Sequence, residues 1–423
     1  MSTATKQSAR TAVSRSDRAT ATSPAPKARE QFIPLRKAEL VEALAGNPEL
    51  TAAEAADFRR FCQLVQGLFH RQFQTTLEAL KDAYAPFDPD ADTQSAIALS
   101  EAELEERRQT LFEKFSWLLE RGNFVRLTHH EIEASLADCS QWGLNLTIDF
   151  DIFDRLEIYR RGDIVGTRYR RRMRKRFQPE AVEVPIFQRL VVIFRLRPGR
   201  LSKFLDTQDV YIKLFKDIPK ADLDMLLPET QVKMSLLDRA KILLPTLSGV
   251  SIAIWKIVQG ALIVAAAGFY GSLAFLGLIG GTVGYGVRSF YGYLNTKQKY
   301  QLNLTQSLYY QNLDNNAGAI YRLLDEAEEQ ENREAMLAYF YLWHVAPPAG
   351  WTVSQLDAEI EAFLRERSGQ DIDFEVADAL AKLERLQLVE TDSTSDGSGE
   401  TKRVVPIDRA IQSLEKLWAA LPD

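Results

Sequence analysis

The sequence predicts an α+β, mostly helical chain in three parts: an N-terminal domain of helices and antiparallel sheet, a two-helix transmembrane hairpin, and a C-terminal helical, winged-helix-like domain. Three observations carry this. Apolar residues recur at helical spacing over residues 32–139 and β-rich runs follow over 144–215. An uncharged apolar stretch interrupts the chain near its middle. Beyond it, three helical patterns precede a hairpin pattern. The boundaries read as a disordered leader over 1–29, an N-terminal domain over 30–241, the hairpin over 242–294 and an acidic helical domain over 295–423, winged-helix-like at 332–423.

In the helical part, three starts are marked by a hydroxyl and a carboxylate three residues apart: Thr51 with Glu54, Ser100 with Glu103, Thr128 with Glu131. Each pair can satisfy two orphan backbone donors reciprocally, as a capping box. The first long helix runs to about Tyr84, with Phe58, Phe61, Cys62, Val65, Phe69, Phe73, Leu77 and Leu80 on one face. The second carries Leu111, Phe112, Phe115, Leu118 and Leu119 and stops at Gly122. Strand patterns follow over 144–150, 155–161, 184–196 and 210–215, punctuated by Gly162-Asp163, Pro198-Gly199 and Pro219 as turn or breaker signals. An antiparallel sheet covered on one face by the preceding helices would bury both apolar sets.

Residues 257–287 contain no charge. A single helix of that length would run roughly 46 Å against a hydrocarbon core of about 30 Å, so two spans over 243–291, turning near Gly268-Phe269-Tyr270-Gly271, fit better. Lys233, Arg239 and Lys241 precede the segment and Arg288, Lys297 and Lys299 follow it. Matched basic flanks predict both soluble parts on one face, cytoplasmic, stromal or matrix. Gly277, Gly280, Gly281 and Gly284 form a small-residue face for packing against the first helix or for homo-oligomerisation. Lys256 lies within the first span: it can snorkel to the interface, form a structural pair, or serve transport.

In the C-terminal part, Thr352 and Gln355 form a fourth box, opening a helix that ends near Gly369. A further helix covers 374–386, and strands at 388–390 and 403–405 flank a polar loop. Residues 295–423 hold 12 basic against 23 acidic groups. The third helix lies among Asp371, Asp373, Glu375, Asp378 and Glu384, so nucleic acid is an unlikely partner and a protein the expected one.

The sharpest charged feature is residues 168–176, where Arg168, Arg170, Arg171, Arg172, Arg174, Lys175 and Arg176 lie together. A solvated face and attraction to anionic lipid headgroups explain it equally well; phosphate contacts to nucleic acid rank below both. Other chemistry is thin. His129-His130-Glu131 near Cys139 lacks metal-site spacing and already serves as a helix start. Asp88, Asp90 and Asp92 alternate like the first ligands of a calcium loop, but Thr93 and Leu99 stand where Gly and Glu are needed. No phosphate-binding glycine loop is present, so no cofactor and no catalytic residue is assigned. The two cysteines, Cys62 and Cys139, show no framework spacing. The first 29 residues lack an apolar core, which excludes a secretory signal, while their composition suits a disordered tail or an organelle transit peptide.

Five stretches resemble one family: 30–44 (EQFIPLRKAELVEAL), 154–172 (DRLEIYRRGDIVGTRYRRR), 184–194 (VPIFQRLVVIF), 212–228 (IKLFKDIPKADLDMLLP) and 297–331 (KQKYQLNLTQSLYYQNLDNNAGAIYRLLDEAEEQE). Together they are similar to the membrane family of unknown function that contains transmembrane protein 143, with cyanobacterial, plant and mitochondrial members. The resemblance implies two spans and a bacterial or organellar inner membrane, and it implies no activity. The resulting expectation is a non-enzymatic, membrane-anchored scaffold or adaptor. A transport or channel component built from oligomerised hairpins and an unrecognised membrane-bound enzyme are the alternatives.

Overall fold

The computed structural model describes residues 29–93, 98–133, 145–147, 150–171, 179–198, 206–228, 231–233, 255, 310–393 and 400–420. All four capping boxes form. Thr51 opens α2 (Ala52–Tyr84), Ser100 opens α3 (Glu101–Arg121), and the Thr128 amide and hydroxyl bond Glu131 while the Glu131 amide returns to Thr128 Oγ1. A short α1 (Lys37–Ala45) precedes them. α2 runs 33 residues, with the apolar face read from its spacing buried from Phe58 to Leu80. α3 ends on Gly122.

The main sheet is antiparallel with strand order β1 (Val125–Arg126), β3 (Phe153–Arg171), β4 (Pro179–Leu196), β5 (Tyr211–Pro219) and β7 (Asn312–Asn315). β2 (Asn145–Thr147) and β6 (Gln231–Lys233) pair separately. Alternation along β4 sends Val191 and Ile193 to one face and Leu190, Val192 and Phe194 to the other. The first face packs on α2, α3 and α4 (Asn316–Phe340). The second is closed by Leu223, Leu226 and Leu227 at the 3₁₀ turn after β5, together with Leu127 and Ile132. The sheet is thus buried on both faces, one more than the helical cover alone would supply.

Gly162 corrects one expectation. Instead of ending a strand it lies inside β3, with φ +73° and Arg161 and Asp163 still paired to Arg189 and Phe187 of β4. A glycine tolerates this left-handed conformation without a Cβ clash, so a breaker signal marks a distortion that the ladder passes through. The strand read at 155–161 accordingly extends to Arg171 and takes in the start of the basic run.

α4 passes into one π turn at Tyr341–Val345. α5 (Val353–Ser368) follows, ending in a left-handed Gly369, and α6 (Val376–Arg385) comes next. β8 (Val389–Ser393) and β9 (Glu400–Val404) form the expected hairpin. An additional helix, α7 (Ile407–Ala419), comes after it. One apolar cluster runs from Ile33 through α2, α3 and α4 to Leu414 of α7. At its centre Phe61 stacks on Tyr339 with ring centroids 3.9 Å apart, an arrangement whose removal by truncation to alanine costs about 3–5 kcal/mol.

The membrane expectation is corrected as well. Among the described residues no helix is long and apolar enough to cross a membrane. The long helices are amphipathic because they cover a core: α2 carries Arg59, Arg60, Arg71 and Lys81, and α4 carries eight charged residues from Arg322 to Glu334 along its middle. The structure therefore does not support a two-span integral membrane protein or the placement of two soluble parts against an inner membrane. The proposed hairpin over 242–294, with Lys256, Gly277, Gly280, Gly281 and Gly284, lies outside the described residues except for Trp255.

Candidate functional site

Charge on α4 is buried where the helix crosses the rest of the fold. The stretch from Gln330 to Glu334 interrupts an apolar pattern with five polar residues, all of them buried. Helical spacing pairs Gln330 with Glu334 (2.6 Å) and Arg333 with Glu329 (3.0 Å), one turn apart. The remaining valences are met from other elements.

From α6, Lys382 reaches in, fully buried, and its ammonium meets Glu334, Asp378 (2.7 Å) and Glu331 (3.3 Å). Burial alone lowers the pKa of such a group, but here the three carboxylates outweigh it and hold Lys382 above the usual lysine range. From α3, Arg121 donates to Glu331 at 2.8 Å. Asn123 follows at φ +57° and donates to Glu334 and to the backbone carbonyl of Gln31. Burial pushes the Glu331 carboxyl up, against the pull of Lys382 and Arg121.

A second cluster joins the sheet to the same helix. Arg161 of β3 is 5% exposed and donates to Glu326 (2.6 Å) and to the Gly122 carbonyl (3.2 Å). Its guanidinium lies 4.0 Å from the Phe32 ring and 4.5 Å from Phe124. Glu326 is desolvated, which raises a carboxyl, yet Arg161, Arg189 and Arg322 hold it below the ordinary range.

Both clusters receive the segment at residues 29–33. Ile33 is fully buried, its amide bonded to Gln330 Oε1 (3.2 Å). Arg29 forks onto Glu361 (2.7 and 2.8 Å) and reaches Asp373 (2.6 Å). Glu30 bridges Ile372 in parallel, and the Asp373 amide donates to its carbonyl (2.7 Å). Gln31 donates to Glu375 (2.8 Å).

The acidic residues read as a protein-facing surface are therefore committed within the chain. Asp371 pairs with Arg365, Asp373 with Arg29, Glu375 with Gln31, Asp378 with Lys382, and Glu384 with Lys402. In the Lys382 cluster, three cations (Arg121, Lys382, Arg385) face three anions (Glu331, Glu334, Asp378). A balanced set built on the buried Glu331, Glu334 and Lys382 fixes geometry and offers no unmet charge to a ligand.

The other sequence candidates are dispersed. Arg168, Arg170 and Arg171 fall on β3, opposite Val182, Glu180 and Pro179 of β4; Arg172, Arg174, Lys175 and Arg176 lie outside the described residues. His129 packs edge-on to Phe150 and sits 3.2 Å from Glu133, and Cys139 is outside the described residues. Among the described residues no three His, Cys, Asp or Glu side chains converge as metal ligands. A half-open cavity of about 250 Å³ lies beside His129, lined also by Arg126, Leu127, Ile132, Phe150, Phe153 and Leu156.

The buried network was missed from sequence. Its signal was the polar run from Gln330 to Glu334 inside an apolar helix, but the partners come from α3, α6, β3 and the segment at 29–33, which no spacing connects. No solved structure matches the chain. Residues 187–318, from mid-β4 to the first turn of α4, match the family described as a protein of unknown function (DUF3754), so this part of the chain is similar to a family whose description carries no activity.

Proposed function

We propose that this protein is a non-enzymatic adaptor that holds protein partners, with α5, α6 and the β8–β9 hairpin as its winged-helix-like binding unit. One observation carries the reading: the acidic side of that unit already holds an extended polypeptide, with Arg29 gripped by Glu361 and Asp373 and with backbone pairing between Glu30 and Ile372. Recognition of a backbone plus a cationic side chain is the chemistry of peptide binding, and the acidic composition disfavours a phosphate backbone. We also place the chain with the family that contains transmembrane protein 143, on the stretches at 212–228 and 297–331, parts of which fall within the matched residues 187–318. This is a grouping by sequence alone.

The test is affinity capture from native extract with the full chain and with a Glu359→Lys/Glu366→Lys variant, two exposed positions on α5. Recurrent partners bound by the parent and lost from the variant are expected. Capture of nothing reproducible, or of the same set by both, would sink the adaptor reading.

A further inference from the structure

β3 and β4 outlast their neighbours. β1 covers β3 only at Tyr159 and Arg160, and β5 covers β4 only as far as Ile186. Beyond these, residues 164–171 and 179–186 continue as a two-stranded ribbon, in unshifted register from Ile164 with Ile186 to Arg171 with Pro179. Among the described residues, no strand pairs with 164–171 on the β1 side. Ile164 is 37% exposed and Val165 is 54% exposed, two β-branched residues on an open edge. An edge of this kind presents unpaired backbone donors and acceptors, which is a template for another strand.

The two edges of the ribbon differ. β4 carries Pro179 and Pro185, which remove backbone donors, and it carries Glu180 and Glu183. β3 has no proline between 163 and 171 and carries Arg168, Arg170 and Arg171. Pairing β3 with β3 of a second copy would set arginines beside arginines, which is destabilising. A nucleic-acid backbone offers no strand-like ladder of donors and acceptors to pair with this edge. A polypeptide of opposite charge satisfies both the ladder and the arginines.

We propose that the β3 edge over residues 164–171 is a docking site for an acidic, extended segment of a partner protein, which joins the sheet as an added strand. The site is separate from the contacts that hold Arg29, so it stands or falls independently of the adaptor reading of the C-terminal unit.

The probe is a fluorescein-labelled peptide of about eight residues, alternating Glu and Val, titrated into the full chain by anisotropy. Two further peptides are N-methylated, one at the Glu and one at the Val positions, so that each loses the donors on one side of the strand. Strand addition predicts that one methylated peptide weakens at least about tenfold while the other binds like its parent, and that Arg168→Glu/Arg170→Glu weakens the parent peptide by a similar factor. Equal binding by both methylated peptides would reduce the site to charge attraction and overturn the proposal. Stronger binding of a DNA duplex, or peptide-free dimers in sedimentation that disappear in the arginine variant, would overturn it in favour of nucleic acid or self-association. The methylated peptides need no protein variant, so a misfolded variant cannot hide the outcome.

Discussion

Two stretches of this chain are dense in charge, residues 326–334 on α4 and residues 168–176 beginning on β3, and they have opposite fates. On α4 five carboxylates stand against Arg333 alone, and other elements bring the missing cations, Arg161 to Glu326, Arg121 to Glu331 and Lys382 to Glu334, so these carboxylates are folded inward in pairs. On β3 one sign dominates, and the strand carries it past β1 and β5 to where the ribbon has lost its flanking strands. The difference teaches that a run of one sign can be folded inward where distant elements bring counter-charges to it, whereas β1 and β5 stop short of the basic run on β3.

The sharpest way to break this comparison is Lys382→Met. Removing the ammonium leaves Glu334 buried without a cation while Glu331 keeps Arg121, and unpaired buried charge of this kind costs about 3–5 kcal/mol. Urea denaturation should show that loss, and Glu334→Gln added to it should recover part. Gly162→Ala tests the junction between the two halves of β3. An added Cβ would lie 2.4 Å from the Gln188 side chain at a φ of +73°, so about 1–3 kcal/mol should be lost. A loss below that range would mean that the ladder relaxes there.

Proton linkage gives a third test. The folded Glu326 carboxyl sits below its ordinary value of 4.5, so its contribution to stability is complete above about pH 5 and lost as the pH falls through the lower, folded value. The stability difference between the parent and Glu326→Gln should therefore stay constant from pH 7 to 5 and shrink below 4.5; a difference that grows on acidification would reverse the assigned sign. The smallest effect belongs to the ribbon. Ile164→Lys replaces a side chain that is 37% exposed on the open edge, and its stability should stay within about 0.5 kcal/mol of the parent. A larger loss would show that the edge is covered.

What could be read from the sequence was what is local. The four capping boxes, the Gly122 and Gly369 stops, the buried face of α2 and the β8–β9 hairpin rest on contacts within a few residues, and spacing reports such contacts directly. Gly162 misled because a positive φ signals a turn or a distorted strand equally, and only the pairing of Asp163 with Phe187 decides between them. The candidate network was illegible for a different reason. Gln330 to Glu334 look solvent-facing until Arg121, Lys382 and the segment at 29–33 arrive from parts of the chain far away in sequence. The apolar run over 243–291 reads as two spans by hydropathy alone, but none of the described helices is long and apolar enough to cross a membrane.

The packing of α7 against α2 has a consequence for synthesis. Arg60 pairs with Glu415, the Trp418 ring lies where a side chain at Gly67 would have to go, and Ile411 and Leu414 join the cluster that holds Phe61. α2 is therefore translated early, but part of its apolar face stays open until residues 407–419 have left the ribosome. During that interval the nascent chain is a client for holding chaperones. A message stopping before Ile407 would release a product that never closes, which directs such fragments to proteolysis even though every strand of the sheet has been made.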